Sequence, residues 1–305
     1  MTRAVVFAYH EVGVRGLAVL LDQGIEVPLV VTHPDLAGEN RWFADVSEFA
    51  KQAGVRVMTP EREDLGAILP DLVRLEPDFI FSFYYRHLIP VPLLSVARRG
   101  ALNLHGSLLP RYRGRAPVNW ALLRGERETG ASLHYMVERA DAGDLVDQMA
   151  VPILATDQAC EVARKVAWAA EMVLYRSLPA LVAGTAHARP LPILPGEYFG
   201  RRRPEDGRID WSRSAWEVHN LIRAVAPPFP GAFSDCGGAR LWIDCARVDP
   251  DPARHPGPVL YTEQDRLFAD CGDGRRIQVL KYRWSGVDAK AISAPATPLV
   301  LGELP

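Results

Sequence analysis

Two short segments contain the residues whose types and spacing suit covalent chemistry. Residues 103–117 read Asn-Leu-His-Gly-Ser-Leu-Leu-Pro-Arg-Tyr-Arg-Gly-Arg-Ala-Pro, and Asp141-Ala-Gly follows further along the chain. Asn103 and His105 end an apolar run, and their spacing turns both side chains to one face of an extended backbone. An amide donor and an imidazole acid or base would then converge on one reacting atom. This spacing predicts a site for acyl-type transfer.

The same residues also allow structural interpretations. Most histidines are not catalytic, so on the sequence alone His105 could equally be a buried residue that satisfies backbone groups. A lone asparagine such as Asn103 is commonly a turn residue, and Asp141 before Ala-Gly could simply begin a tight turn. Ser107 opens a loop without the Gly-x-Ser-x-Gly pattern of hydrolase nucleophiles, which favours a structural hydroxyl.

The two segments resemble the formyltransferases that use 10-formyltetrahydrofolate. That family has Asn-x-His followed by Ser-Leu-Leu-Pro-x-Tyr/Trp-Arg-Gly, with an Asp-x-Gly a few tens of residues later. Within the family, the resemblance is greatest to the formyltransferase half of the bifunctional enzymes that formylate UDP-4-amino-4-deoxy-L-arabinose, a step of lipid A modification in polymyxin resistance. Further similar segments are Val5–Glu11, Phe81–Ile89, Phe199–Arg202 and Arg223–Phe233.

The resemblance implies a role for each residue of the motif. Asn103 would stabilise the negative charge that develops on the formyl oxygen, and His105 would protonate the departing folate nitrogen. Asp141 would orient the His105 ring and favour its charged, proton-donating form. The donor cosubstrate would be 10-formyltetrahydrofolate, and the acceptor would be the amine of a nucleotide sugar.

The resemblance also implies a set of folate-binding residues. They are His87, Leu88, Ile89, Arg115, Val137, Glu138, Arg139 and Ala140. The first three follow a buried apolar run, so ordinary packing is the alternative for them. Arg115 stands where methionyl-tRNA formyltransferases typically have alanine, and the resemblance places it in the ligand site.

The sequence predicts neither a metal site nor a nicotinamide cofactor. The glycines after the first apolar run, Gly13 and Gly16, suggest a phosphate-binding loop with His10, but Gly-x-x-Gly is a weak dinucleotide signal. The cysteines lack Cys-x-x-Cys spacing and histidine partners at metal-ligand spacing, which favours reduced structural thiols. These cysteines are Cys160, Cys236, Cys245 and Cys271.

Short apolar runs alternate with helix-like stretches through the first half of the chain. The expected strands are Val5–Phe7, Val27–Val31, Val55–Met58, Phe79–Phe83 and Ala101–His105. The expected helices are Gly16–Gln23, Phe43–Ala53, Leu65–Leu75 and Pro90–Arg98. This alternation predicts an α/β domain with a doubly wound, mostly parallel, Rossmann-like sheet. Asn103 and His105 would lie at a strand's carboxyl end, where such sheets bind ligands.

The second half of the chain changes in character. Two further strands, Thr129–Val137 and Asp144–Ile153, flank Asp141, and Cys160–Leu181 has the spacing of an amphipathic helix. Ser214–Glu217 is a capping box that opens a helix through Val225. Short strand-like runs then fit a small β-barrel, which the resemblance implies to be open and OB-like. These runs are Leu241–Val248, Pro258–Leu260, Leu267–Ala269 and Ile277–Lys281. We expect a catalytic domain over 1–189, a linker over 190–210 and a C-terminal domain over 211–305.

Length and charge limit the remaining functional alternatives. The 305 residues, 48% hydrophobic and 24% charged, suit a soluble protein of two unequal domains. One alternative is another enzyme of the same class, a methionyl-tRNA formyltransferase. A net charge of −2 supplies no general attraction for nucleic acid, and this charge and the presence of Arg115 both disfavour that alternative. The alternative of another class, an inactive folate or nucleotide-sugar binding module, is disfavoured by the intact motif.

The sequence leaves location and partners less defined. The N-terminus enters a strand-like run without a signal-peptide pattern, so we expect a cytoplasmic protein without a membrane insertion. The bifunctional enzymes carry a decarboxylase half beyond the formyltransferase half. A decarboxylase domain and a homo-oligomer therefore both remain open as partners.

Overall fold

The computed structural model describes residues 1–34, 40–193, 195–236, 239–285 and 298–301. The chain divides into two compact units. The first comprises Met1–Pro117, Glu128–Pro152 and Ala163–Gly200, and the second comprises Val118–Arg127, Ile153–Val162 and Arg201–Pro305.

The first unit is built on a seven-stranded sheet. The strands of this sheet are β1 Arg3–Ala8, β2 Glu26–Val31, β3 Arg56–Met58, β4 Phe79–Phe83, β5 Ala101–His105, β7 Glu128–Tyr135 and β8 Leu145–Pro152. Two short strands, β6 Arg113–Gly114 and β9 Tyr198–Phe199, pair with each other outside the sheet. The α-helices among the described residues are α1 His10–Asp22, α2 Val46–Gln52, α3 Leu69–Leu75, α4 Val91–Leu94, α5 Pro117–Leu123, α6 Ala159–Ala183 and α7 Ala215–Val225.

The strand order of this sheet is β3-β2-β1-β4-β5-β7-β8. The first five strands are parallel, and β7 and β8 are antiparallel to their neighbours. The chain moves outward from β1 to β3 and then returns to β4, so the strand order reverses between β1 and β4. This topology confirms the predicted mostly parallel, doubly wound fold and leaves a crevice at the carboxyl ends of the central strands.

The prediction for the start of the first helix is wrong. Gly13 and Gly16 lie inside α1, which begins at His10 and not at Gly16. A β-carbon at Gly13 would collide with Val46, and one at Gly16 would collide with the Phe83 ring. The two glycines therefore allow close packing of α1 and do not form a phosphate-binding loop.

The long helix α6 buries the face that the sequence predicts. The side chains of this face are all buried: Val162, Val166, Ala169, Ala170 and Val173. Among the described residues, α6 is the one helix long and apolar enough to cross a membrane, judged by length and composition only. Half of its apolar window is buried, as is typical of a core helix in a globular unit.

The second unit contains a six-stranded antiparallel sheet. Its strands are β10 Ala232–Cys236, β11 Ala239–Pro252, β12 Val259–Glu263, β13 Arg266–Asp270, β14 Arg275–Ser285 and β15 Leu299–Val300. They are ordered β10-β11-β14-β13-β12-β15, which is consistent with the expected OB-like domain. The predicted capping box is confirmed, because the Glu217 N–H donates to Ser214 Oγ and the Glu217 carboxylate accepts from the Ser214 N–H.

Candidate active site

The carboxyl end of β5 carries Asn103 and His105 into the site. Asn103 is in register with Ser82 of β4 on one side and with His134 of β7 on the other. His105 ends the strand and exposes only 6% of its surface. The sheet therefore holds both side chains at the ligand-binding edge that the sequence predicts.

Asp141 reaches this edge from the connection between β7 and β8. Its φ of 51° lies in the left-handed region, which aspartate tolerates better than most residues. A β-carbon at Gly143 would collide with the carbonyl oxygen of Tyr135, so only glycine allows this turn. The Gly114 N–H donates to Asp141 Oδ2 at 2.9 Å, which ties the turn to β6.

The three predicted catalytic side chains converge. Asp141 Oδ1 lies 3.5 Å from His105 Nδ1. The same oxygen accepts from Asn103 Nδ2 at 3.4 Å. His105 Nε2 donates to the carbonyl oxygen of Tyr112 at 2.8 Å. Each ring nitrogen of His105 thus faces an oxygen acceptor, an arrangement that a ring with a proton on both nitrogens would satisfy.

Asp141 is held in its ionised form. Burial alone would raise the pKa of this carboxyl, but the charge of the His105 ring and the Gly114 N–H favour the carboxylate. The net result is a pKa well below the usual range. Asp141 therefore carries its negative charge at neutral pH.

The sequence interpretation missed one histidine of this cluster. His134, on β7, is only 1% exposed. Its Nε2 lies 3.2 Å from Asn103 Nδ2 and 3.5 Å from Asp141 Oδ1. The signal that could have found it is the period-two alternation of the predicted strand Thr129–Val137, which puts His134 on the same face as the small polar Ser132.

Ser107 is part of the scaffold. Its side chain is buried, and its hydroxyl donates to the carbonyl oxygen of Arg111 at 2.6 Å. The Ser132 hydroxyl in turn donates to the carbonyl oxygen of Ser107 at 2.6 Å. These bonds fix the loop after β5, in agreement with the structural interpretation.

The first group of predicted folate-binding residues follows β4. Leu88 is 75% exposed, whereas Ile89 packs against the core of the sheet. Burial lowers the pKa of His87, and the positive charges of Arg62, Arg115 and Arg86 lower it further. Arg115 also donates to the carbonyl oxygen of Arg86 at 3.4 Å, so this arginine and the loop after β4 lie together.

The second group leads directly into the Asp141 turn. Val137, Glu138 and Arg139 are exposed, and Ala140 is partly buried. The second group thus adjoins Asp141, and the first follows β4, the strand next to β5. Their contact with folate remains a prediction.

The cluster has no evident metal ligands. Within the part of the chain that the structure describes, no group of three or more His, Cys, Asp or Glu side chains is placed to hold a metal ion. Cys160, Cys245 and Cys271 are free thiols. The side chain of Cys236 lies outside the described residues.

The geometry supplies the parts that acyl transfer needs. Asn103 offers amide N–H groups, and His105 offers an imidazole 3.5 Å from a carboxylate that is ionised at neutral pH. Residues 16–178 match the formyl transferase domain, and residues 202–296 match the formyl transferase C-terminal domain. The chain belongs to the formyl transferase family. The match confirms the predicted family and with it an enzyme that transfers a formyl group.

Two solved structures share the fold of this formyltransferase over both of its units. An N-formyltransferase from Helicobacter canadensis, in complex with folinic acid and dTDP-3-aminofucose, is 18% identical, with a TM-score of 0.74 over 92% of this chain and 100% of its own. WlaRD, a sugar 3N-formyl transferase studied with dTDP and 5-N-formyl-THF, is 18% identical, with a TM-score of 0.73 over 92% of this chain and 98% of its own.

A third structure shares the fold within a longer protein. HypX from Aquifex aeolicus, in complex with tetrahydrofolic acid, is 20% identical, with a TM-score of 0.64 over 92% of this chain and 44% of its own. At these identities the three structures establish the common fold. The particular acceptor is a separate question.

Proposed function

We propose that this formyltransferase moves a formyl group from 10-formyltetrahydrofolate to the amine of a nucleotide-linked sugar, UDP-4-amino-4-deoxy-L-arabinose. The observation that carries the proposal is the convergence of Asn103, His105 and Asp141 at the carboxyl end of β5. The donor supplies an activated formyl group. The side chains present fit it, because they combine a neutral N–H donor, a proton-carrying ring and a fixed negative charge.

Asn103 is proposed to act on the formyl oxygen. When the sugar amine attacks the formyl carbon, negative charge develops on that oxygen. An amide N–H that is already aimed at the oxygen stabilises this charge more in the transition state than in the ground state. The contact of Asn103 Nδ2 with Asp141 Oδ1 is long, at 3.4 Å, so this weakly bonded N–H is available to a stronger acceptor.

His105 is proposed to move the protons. The bond between the formyl carbon and the folate nitrogen breaks as the new carbon–nitrogen bond to the sugar forms. His105 gives a proton to the departing folate nitrogen, and the attacking amine loses one, so the ring can be recharged in the same turnover. The Asp141 carboxylate, 3.5 Å from Nδ1, stabilises the charged ring that must form in each cycle.

Several observations support a nucleotide sugar as the acceptor. Two proteins of the same fold were crystallised with dTDP or a dTDP-amino sugar together with a formylated folate. The net charge of −2 offers little general attraction for tRNA phosphates. The segments that resemble the aminoarabinose enzymes favour the UDP-linked pentose among nucleotide sugars, and with it a cytoplasmic step of lipid A modification and polymyxin resistance.

Parallel assays with three acceptors test this assignment. We expect the enzyme to formylate UDP-4-amino-4-deoxy-L-arabinose best, a dTDP-linked amino sugar poorly and methionyl-tRNA not at all. Formylation of the sugar should depend only mildly on salt, since few phosphate contacts are involved, whereas binding of a tRNA would fall steeply. Preference for methionyl-tRNA with a steep salt dependence would overturn the acceptor and leave formyl transfer intact.

Removal of the Arg115 charge tests the predicted ligand site. We expect Arg115→Ala to raise KM by about tenfold, the effect of losing one charge-assisted hydrogen bond at a site open to solvent. Separate titrations of folate donor and sugar acceptor show which ligand the arginine holds. Arg74→Ala is the matched control, because it removes an equally positive, exposed side chain from α3. Equal KM values in both variants would remove Arg115 from the ligand site.

A further inference from the structure

The least exposed member of the active-site cluster is His134, and its ring touches two of the three proposed catalytic side chains. We propose that His134 is a positioning residue that fixes which end of the Asn103 amide faces the reacting formyl group. This inference rests on the proposed function, because it concerns the contact between the Asn103 amide and the formyl oxygen.

The hydrogen bonds of His134 define its proton positions. Nδ1 lies 2.8 Å from the carbonyl oxygen of Tyr135, which can only accept, so Nδ1 carries a proton and donates it. In the neutral ring, Nε2 then has a free lone pair. Asn103 Nδ2 lies 3.2 Å from Nε2 and is a donor, so the two atoms form a matched hydrogen bond.

This bond orients the amide. Both groups that face the inner end of the Asn103 side chain, His134 Nε2 and Asp141 Oδ1, are acceptors, so the amide nitrogen and not its oxygen points towards them. His134 holds one N–H, and the second N–H, whose contact to Asp141 is longer, is left for a formyl oxygen bound beside it. If the amide flipped, its oxygen would meet the formyl oxygen, and two negative dipole ends would repel each other.

The sheet makes this arrangement rigid. His134 lies on β7, between β5 and β8, and is in register with Asn103 and with Leu145. Its ring is bonded at both nitrogens and shielded from water. A side chain fixed in this way can preorganise its partner, as the outer partners of metal ligands do at metal sites.

Two substitutions separate positioning from simple packing. His134→Leu keeps a similar volume without an acceptor, whereas His134→Gln places an oxygen near the position of Nε2. We expect His134→Leu to lower kcat by about 10–100-fold, as is typical when the partner that orients a functional group is lost. KM for donor and acceptor should change little, and His134→Gln should recover most of kcat. His219→Leu, a buried histidine on α7 bonded to the Ala155 carbonyl, is the control and should keep kcat.

A double-mutant cycle tests the route of the effect. If His134 acts through Asn103, then adding His134→Leu to Asn103→Ala should cost no further activity, because the amide to be oriented is already absent. A double variant in which the two losses multiply would overturn the proposal. So would a His134→Leu protein with unchanged kcat.

Nitrogen NMR of the unmutated protein tests the same point. It depends neither on turnover nor on whether a variant folds. We expect a proton on Nδ1 of His134 and none on Nε2, and a proton on Nε2, with or without one on Nδ1, would overturn the proposal. If the unmutated enzyme consumes no formyl donor with any acceptor, the proposed function fails. If it turns over and the His134 variants behave like the control, only the positioning role fails.

Discussion

His105→Gln is expected to lower kcat by about 10²–10⁴-fold, the usual contribution of a positioned general acid or base. Glutamine can donate a hydrogen bond but cannot release a proton to the departing folate nitrogen. Steady-state assays at saturating donor and acceptor measure the loss. Near-normal turnover in a folded His105→Gln protein would contradict the catalytic assignment.

The substitution of His105 by glutamine separates a loss of catalysis from a loss of stability. The glutamine Nε2 lies near the position from which His105 Nε2 donates to the carbonyl oxygen of Tyr112. His105→Ala would remove this buried hydrogen bond, at a cost of about 0.5–1.5 kcal/mol. His219→Gln is the matched control, because His219 Nε2 also donates to a backbone carbonyl, that of Ala155 at 3.2 Å. We expect the control to keep full activity and His105→Ala to lose both activity and stability.

Local patterns were sufficient to predict the elements that carry the catalytic motif. β4 and β5 have the bounds that their apolar runs predict, Phe79–Phe83 and Ala101–His105. Fully buried parallel strands show as continuous apolar runs, and turn residues mark their ends. The placement of Asn103 and His105 on one face then follows from the alternation of side chains along a strand.

The contribution of His134 could not be predicted in the same way. Its contact with Asn103 depends on the register between β5 and β7, which are distant in sequence and antiparallel. A shift of one residue would turn His134 to the opposite face of the sheet, and no local signal fixes that register. Gly13 and Gly16 were misinterpreted for a related reason, because the close neighbours that require glycine, Val46 and Phe83, come from other elements.

Asp141→Asn is expected to lower kcat at neutral pH by about 10- to 1,000-fold, because an opposite charge stabilises an adjacent charged group by about that factor and the substitution removes this charge from beside the His105 ring. The fold of the turn should survive, since asparagine also adopts a φ near the 51° of Asp141 and its amide oxygen can accept from the Gly114 N–H. Without the carboxylate, the charged His105 ring is less stable. The descending, alkaline limb of the pH–rate profile should therefore move to lower pH.

The pH dependence of stability gives an independent test of the same charge. The folded chain holds the pKa of Asp141 below its usual value, so the carboxylate contributes its full stabilisation above the unfolded pKa of about 3.9. That contribution is lost as the pH falls from there towards the folded pKa. Urea unfolding measures the free energy of unfolding of the unmutated enzyme and of Asp141→Asn. The difference between the two values should thus be larger at pH 5 than at pH 3. A pH–rate profile unchanged by the substitution would remove Asp141 from the mechanism, even if the stability difference follows this course, because the charge would then support only the turn.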